Sequence, residues 1–184
     1  MELQASYYYF SLHDIVIYYY GISNNLILDN LDSKLNNQVA ILICGHGSRN
    51  KLAITEFQEL TKCIQKRYPK FIVEYGFLEF AKPSILDALD TLKDLSIKKV
   101  IAIPAMLFAA GHVKNDIPSL LMNYSGKTGI EIIYGRELGI NNLMISAACE
   151  RVKDVFKRNN TLKPEDSLLV VVGRGSSDPD ANSN

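Results

Sequence analysis

Residues 39–48 read Val-Ala-Ile-Leu-Ile-Cys-Gly-His-Gly-Ser. An apolar run without alternation, ending in Gly-x-Gly-Ser, marks a strand buried on both faces, the kind found in parallel sheets. A helical pattern follows. Leu52, Phe57, Leu60, Ile64 and Tyr68 recur at spacings near three and four, and the pattern stops before Pro69. A strand, a glycine turn and a helix open a βαβ unit, so the fold depends on whether the unit repeats.

It does. Residues 71–78 read as a second strand. Pro83 opens a second helix at a favoured first-turn position, with Ile85, Leu86, Leu89 and Leu92 on one stripe. Residues 99–104 hold a third strand, a less regular helix covers 115–124, and 130–134 form a fourth strand. Residues 141–158 predict a further helix with Leu143, Ala147, Val152 and Val155 facing inward, and 168–172 a fifth strand. This alternation predicts an α/β fold, a parallel sheet with helices on both faces joined by right-handed crossovers.

Composition agrees. The chain has 184 residues, 47% apolar and 22% charged, which suits one ordinary domain and excludes a disordered chain. Twenty Lys and Arg balance twenty Asp and Glu, so no global field draws in nucleic acid. No apolar run approaches the ~20 residues of a membrane helix, and Met1-Glu2 lacks the basic start of a secretory signal. Cys44, Cys63 and Cys149 are odd in number, without a CxxC, and read as buried small hydrophobes in a reducing cytoplasm.

Residues 1–37 stand apart. They hold six of the ten tyrosines and five asparagines, with His13 and Asp14 before a short candidate strand at 15–20. They read as a poorly ordered extension. The expected division is this extension, a main domain over 38–165, and a distinct segment over 166–184.

In open α/β sheets, ligands bind beyond the carboxyl ends of the strands. His46 follows the first strand, Glu79 the second, His112 the third, Arg136 and Glu137 the fourth, and Arg174 the fifth. Two imidazoles and a carboxylate can form an open site for a borderline divalent ion such as Co²⁺, Fe²⁺, Ni²⁺ or Zn²⁺. Such a site suits a metal that is passed on, and equally a hydrolytic metal that activates water. The Gly45–Ser48 turn can hold an anion on its backbone N–H groups, but it matches neither a P-loop nor a dinucleotide fingerprint, so no nucleotide is expected. Arg49, Lys51, Lys82, Lys114 and Arg136 lie near the same edge. Together they suit a ligand with several carboxylates, such as a tetrapyrrole. Met106, Leu107 and Phe108, in a loop where polar residues are usual, either plug the core or line a greasy wall for a flat macrocycle.

Four stretches carry a family resemblance: GHGSR (45–49), GFLEFAKPSI (76–85), PAMLFAAGHVKNDIP (104–118) and GRELGI (135–140). They resemble the CbiX-type sirohydrochlorin cobaltochelatases, class II chelatases related to the SirB-type sirohydrochlorin ferrochelatases. The match covers roughly residues 38–160, and His46, Glu79 and His112 follow one another in equal steps of 33 residues. The resemblance implies a chelatase-like βαβ repeat and ATP-independent insertion of Co²⁺ or Fe²⁺ into sirohydrochlorin, on the way to cobalamin or siroheme. The divalent metal is then a substrate. The metal-handling residues map onto His46 and His112 and the active-site glutamate onto Glu79, with a histidine or Glu79 taking the pyrrole protons. The substrate's carboxylates would meet Ser48, Arg49, Lys114, Arg136 and Arg174.

Residues 40–50 (AILICGHGSRN) line up with 168–178 (LLVVVGRGSSD) at an offset of 128 residues, with Arg174 in place of His46. The second stretch resembles the start of the second half in two-repeat family members. The chain thus reads as a long form cut just after the first strand of its second repeat, with a homodimer or a missing second half as its completion. The competing readings are a non-catalytic metal- or tetrapyrrole-binding remnant, a hydrolase or phosphate-binding protein using the GHGS turn, and an inert remnant.

Overall fold

The computed structural model describes residues 38–159, 161, 163–172 and 175–183. The expected extension over 1–37, with its candidate strand and with His13 and Asp14, lies outside the described residues, as does Arg174. The elements run β1 (Val39–Gly45), α1 (Lys51–Arg67), β2 (Ile72–Phe77), α2 (Ile85–Asp94), β3 (Lys99–Pro104), α3 (Ile117–Thr128), β4 (Glu131–Tyr134), α4 (Asn142–Arg158) and α5 (Pro179–Ser183). The strands form one sheet in the order β2-β1-β3-β4, and each neighbouring pair is parallel. The chain leaves β1 for β2 on one side and then crosses to β3 on the other. A crevice therefore opens where the connections part, between the carboxyl ends of β1 and β3.

Every residue of β1 is buried, as its unbroken apolar run requires. Ala40, Leu42 and Cys44 point to one face, where they join Leu89 and Leu92 of α2 and Ile117 and Leu121 of α3. Ile41 and Ile43 point to the other, against Ile64 and Phe57 of α1. Helices thus cover both faces, as predicted. Asn50 caps α1 by accepting from Leu52 N–H. Ser84 and Asp87 form a reciprocal capping box on α2. Gly76 lets that helix start close to the sheet, because a Cβ there would stand 2.6 Å from Ile85 Cα.

Several elements differ from the sequence reading. Pro83 precedes α2 instead of opening it, and follows Lys82 through a cis peptide bond. The capping box makes Ser84 the true start. Leu86 is exposed, and Ala88 takes its place on the buried stripe. Leu52 is likewise exposed, in the first turn of α1. The third helix begins earlier than residue 115, with a π-helical turn over His112–Asp116 that runs into α3. Of the cysteines, Cys44 alone is buried; Cys63 is half-buried and Cys149 exposed.

The expected inward face of the last long helix is not buried. No residue of α4 is, and Leu143 and Val155 are exposed. Among the described residues the sheet ends at β4, itself only partly covered, so α4 has no further strand to pack on. Residues 168–172 form no strand either. They pair with no described strand, and their side chains are 65–87% exposed. Their β-branched, apolar composition suits a strand, but a strand also needs a neighbour for its backbone groups.

Candidate metal site

Three loops build the site. The first continues β1 through Gly45, His46, Gly47 and Ser48 to the Asn50 cap. Gly47 has φ +96°, and a Cβ on it would lie 1.8 Å from the carbonyl oxygen of Glu79. The backbone can pass here only without a side chain. The second loop continues β2 and is laced to the first: Leu78 N–H donates to Gly45 O (2.8 Å) and Glu79 N–H to His46 O (3.0 Å). These bonds extend the β1–β2 ladder past both strands and bring Glu79 beside His46. The third loop leaves β3 and ends at His112, the first residue of the π-helical turn.

His46 Nε2 lies 3.2 Å from Glu79 Oε1, and His112 Nε2 lies 4.0 Å from the same oxygen. The two imidazoles meet edge to face, with centroids 4.9 Å apart and planes at 74°. One ligand atom from each of the three residues falls within 4.8 Å of the others, close enough to share one ion. Their side chains are 43%, 39% and 43% exposed in chain order. The group is an open bowl at the sheet edge, not a closed structural site.

Each imidazole is oriented by its other nitrogen. His46 Nδ1 sits 3.1 Å from Gly47 O. A carbonyl oxygen only accepts, so this bond needs the proton on Nδ1 and leaves the Nε2 lone pair for a metal. His112 Nδ1 meets Asp116 Oδ2 at 2.6 Å. The carboxylate fixes the same tautomer, as partners of the far ring nitrogen commonly do for metal-binding histidines. The spacing from 112 to 116 is a helical i,i+4 step, which a loop assignment for His112 concealed. Cys44 is not part of this group; it packs in the core beneath α2 and α3, where burial pushes its thiol up to about 12.

The other predicted site residues that the structure describes each have partners of their own. Arg49 reaches it through an aromatic contact, its guanidinium carbon 4.9 Å from the centroid of Phe80, whose ring is 5.9 Å from that of His46. Ser48 Oγ accepts from Asn50 N–H at 3.0 Å and helps shape the α1 cap. Lys82 is engaged by Asp87 in the α2 cap (2.7 Å). Lys114 holds both carboxylate oxygens of Asp178 at 2.8–2.9 Å, a contact from the far end of the chain. Arg136 lies 3.8 Å from Glu137. Their loop runs beside the one after β3, with Leu138 and Gly139 N–H donating to Met106 and Leu107 carbonyls. Met106 packs against the core, whereas Leu107 and Phe108 are exposed. Sequence reasoning missed Asp116 and Phe80.

Comparison with known proteins points to one family. A family model described as CbiX matches residues 40–155. The sirohydrochlorin ferrochelatase of Priestia megaterium is 30% identical over 154 residues, 81% of this chain and 56% of that protein. A sirohydrochlorin cobaltochelatase of Saccharolobus islandicus is 33% identical over 132 residues, 66% of this chain and 98% of that protein. Among solved structures, SirB from Bacillus subtilis with Fe³⁺ aligns with a TM-score of 0.70 and 30% identity, over 79% of this chain and 56% of that one. The chain spans about half the length of the Priestia and Bacillus relatives.

Proposed function

This chain belongs to the CbiX family, and from that premise we propose that it inserts a divalent metal ion, Co²⁺ or Fe²⁺, into sirohydrochlorin. The observation that carries the reading is the convergence of His46, Glu79 and His112, with both Nε2 atoms turned toward one carboxylate in an exposed bowl. The ligand set suits both ions. Relatives named for cobalt and for iron support the same class of reaction.

In this reading the metal is substrate. His46 and His112 offer it their Nε2 lone pairs, and Glu79 offers an oxygen. The openness of the site matters, because a pyrrole nitrogen must approach an ion that is still held. Two N–H protons leave the macrocycle as the ion enters. Glu79, beside both imidazoles, takes them in turn and releases them to water. Such general-base help is worth about 10²–10⁴-fold. Arg49, Lys114 and Arg136, with Ser48 and Arg174, meet the macrocycle's carboxylates; Lys114 already grips a carboxylate, that of Asp178. Residues 38–165 act as the catalytic domain in the cytoplasm, where Cys44, Cys63 and Cys149 stay free.

The division of labour is tested with Glu79→Gln. The amide keeps an oxygen near the ion but cannot take a proton. The variant is expected to bind Co²⁺ while its insertion rate falls by about 10²-fold or more. Unchanged insertion by this variant would remove Glu79 from the proton path.

A further inference from the structure

Phe80 is strained, and its strain is not repaid by burial. Its φ is +63°, a conformation that glycine or asparagine adopts readily and a bulky side chain rarely does. It is the centre of a three-residue turn in which Ala81 N–H donates to Glu79 O at 2.8 Å. A γ-turn with positive φ at its centre is a rare, strained form. Packing does not account for a phenylalanine here, since the residue is 51% exposed. What the turn achieves is placement. It sends the Glu79 carboxylate toward the histidines and sets the next side chain, an aromatic ring, beside His46 at 5.9 Å and 31°. Arg49 brings a guanidinium over that ring.

We propose that Phe80 is a substrate-binding residue, the apolar platform on which a broad conjugated macrocycle rests while its nitrogens face the His46–Glu79–His112 bowl. This rests on the chelatase reading above. Arg49, held at the ring, supplies the cation for a carboxylate at the macrocycle's rim. A half-exposed aromatic ring with a positive charge over it suits a ligand that is flat and apolar in its middle and anionic at its edge. Strain is kept at the position because the ring serves binding; stability alone would select glycine.

The test measures metal-free sirohydrochlorin binding by its fluorescence, Co²⁺ binding by absorbance, and thermal midpoints. The variants are Phe80→Ala, Phe80→Gly and Phe80→Tyr in the full chain. Phe80→Ala is expected to weaken tetrapyrrole binding about 10-fold or more, with Co²⁺ affinity unchanged and Phe80→Tyr close to wild type. Phe80→Gly should bind the macrocycle as poorly as Phe80→Ala yet melt at a higher temperature, because glycine relieves the positive φ. Equal tetrapyrrole affinity for wild type and Phe80→Ala would overturn the proposal alone, as would a parallel loss of Co²⁺ affinity, which would make Phe80 a mere support for His46. A lower midpoint for Phe80→Gly than for Phe80→Ala would refute the strain argument. A wild-type chain that binds no sirohydrochlorin would overturn the functional reading as well.

Discussion

Replacing Gly47 by alanine should damage the fold and the metal site together. The added Cβ would stand 1.8 Å from Glu79 O, 3.0 Å from Glu79 C and 3.2 Å from Phe77 Cβ. The first distance is far inside any real contact, and the atom it meets is backbone, so the two loops must separate. That movement strains the Glu79 N–H bond to His46 O, now 3.0 Å. A non-glycine residue at φ +96° adds its own penalty. Conformational strain of about 1–3 kcal/mol and a lost hydrogen bond of about 0.5–1.5 kcal/mol give an expected destabilisation of about 1.5–4.5 kcal/mol. In a chain of this size each kcal/mol lowers the thermal midpoint by about 2–4 °C. The same separation carries Glu79 away from His46, so Co²⁺ affinity must fall in the fraction that remains folded. Urea unfolding gives the first quantity and an absorbance titration with Co²⁺ the second. A loss below about 0.5 kcal/mol, within the ordinary range for surface substitutions, would refute the close approach of the two loops. So would unchanged metal affinity in the folded variant.

Gly126 provides the opposite case. It sits in α3 with open space where a Cβ would go. Gly126→Ala should raise stability by about 0.5–1 kcal/mol in the same urea assay. Asp116→Ala removes the acceptor that holds His112 Nδ1. Co²⁺ affinity should drop about 10–100-fold, nitrogen-15 NMR should show the His112 ring proton moving off Nδ1, and Asp116→Glu should recover part of the loss. At the start of α2, the Lys82 ammonium, then the Ser84 backbone and hydroxyl, pull the Asp87 carboxyl down to about 2 from 3.8. A depressed carboxyl stabilises above its unfolded pKa and loses that effect as pH falls through its folded value. The urea midpoint of Asp87→Asn should therefore lie below wild type at pH 7, and the gap should shrink as the pH is lowered from about 4 toward 2.

Sequence alone was sufficient where one residue type admits one environment. The apolar run of β1 had no solvated arrangement, and the strand-end rule then put His46, Glu79 and His112 on one edge, where their ligand atoms lie within 4.8 Å. It failed where the answer depends on a neighbour. Apolar residues in α4 and at 168–172 look like core in any local window, yet those in α4 lie on a helix with no buried residue and those at 168–172 are exposed. Periodicity records how apolar a segment is, not whether a surface exists to receive it. The Lys114–Asp178 pair spans 64 residues, and no local pattern announces it. Asp116 was hidden by an error of only a few residues, because the helix starts at His112 with a π-helical turn. Phe80 was hidden for a different reason. No propensity places phenylalanine at positive φ, and such local contradictions concentrate at functional sites.

Under the proposed function, His46 and His112 hold a metal ion that this chain delivers to a tetrapyrrole. The most direct measurement is an anaerobic absorbance time course with sirohydrochlorin and Co²⁺, comparing the wild-type chain with the His46→Ala/His112→Ala variant and with no protein. Wild type is expected to give a spectral shift faster than the uncatalysed one, and the double variant to return to the uncatalysed rate. A folded wild-type chain that gives no acceleration, or a double variant as fast as wild type, would contradict it.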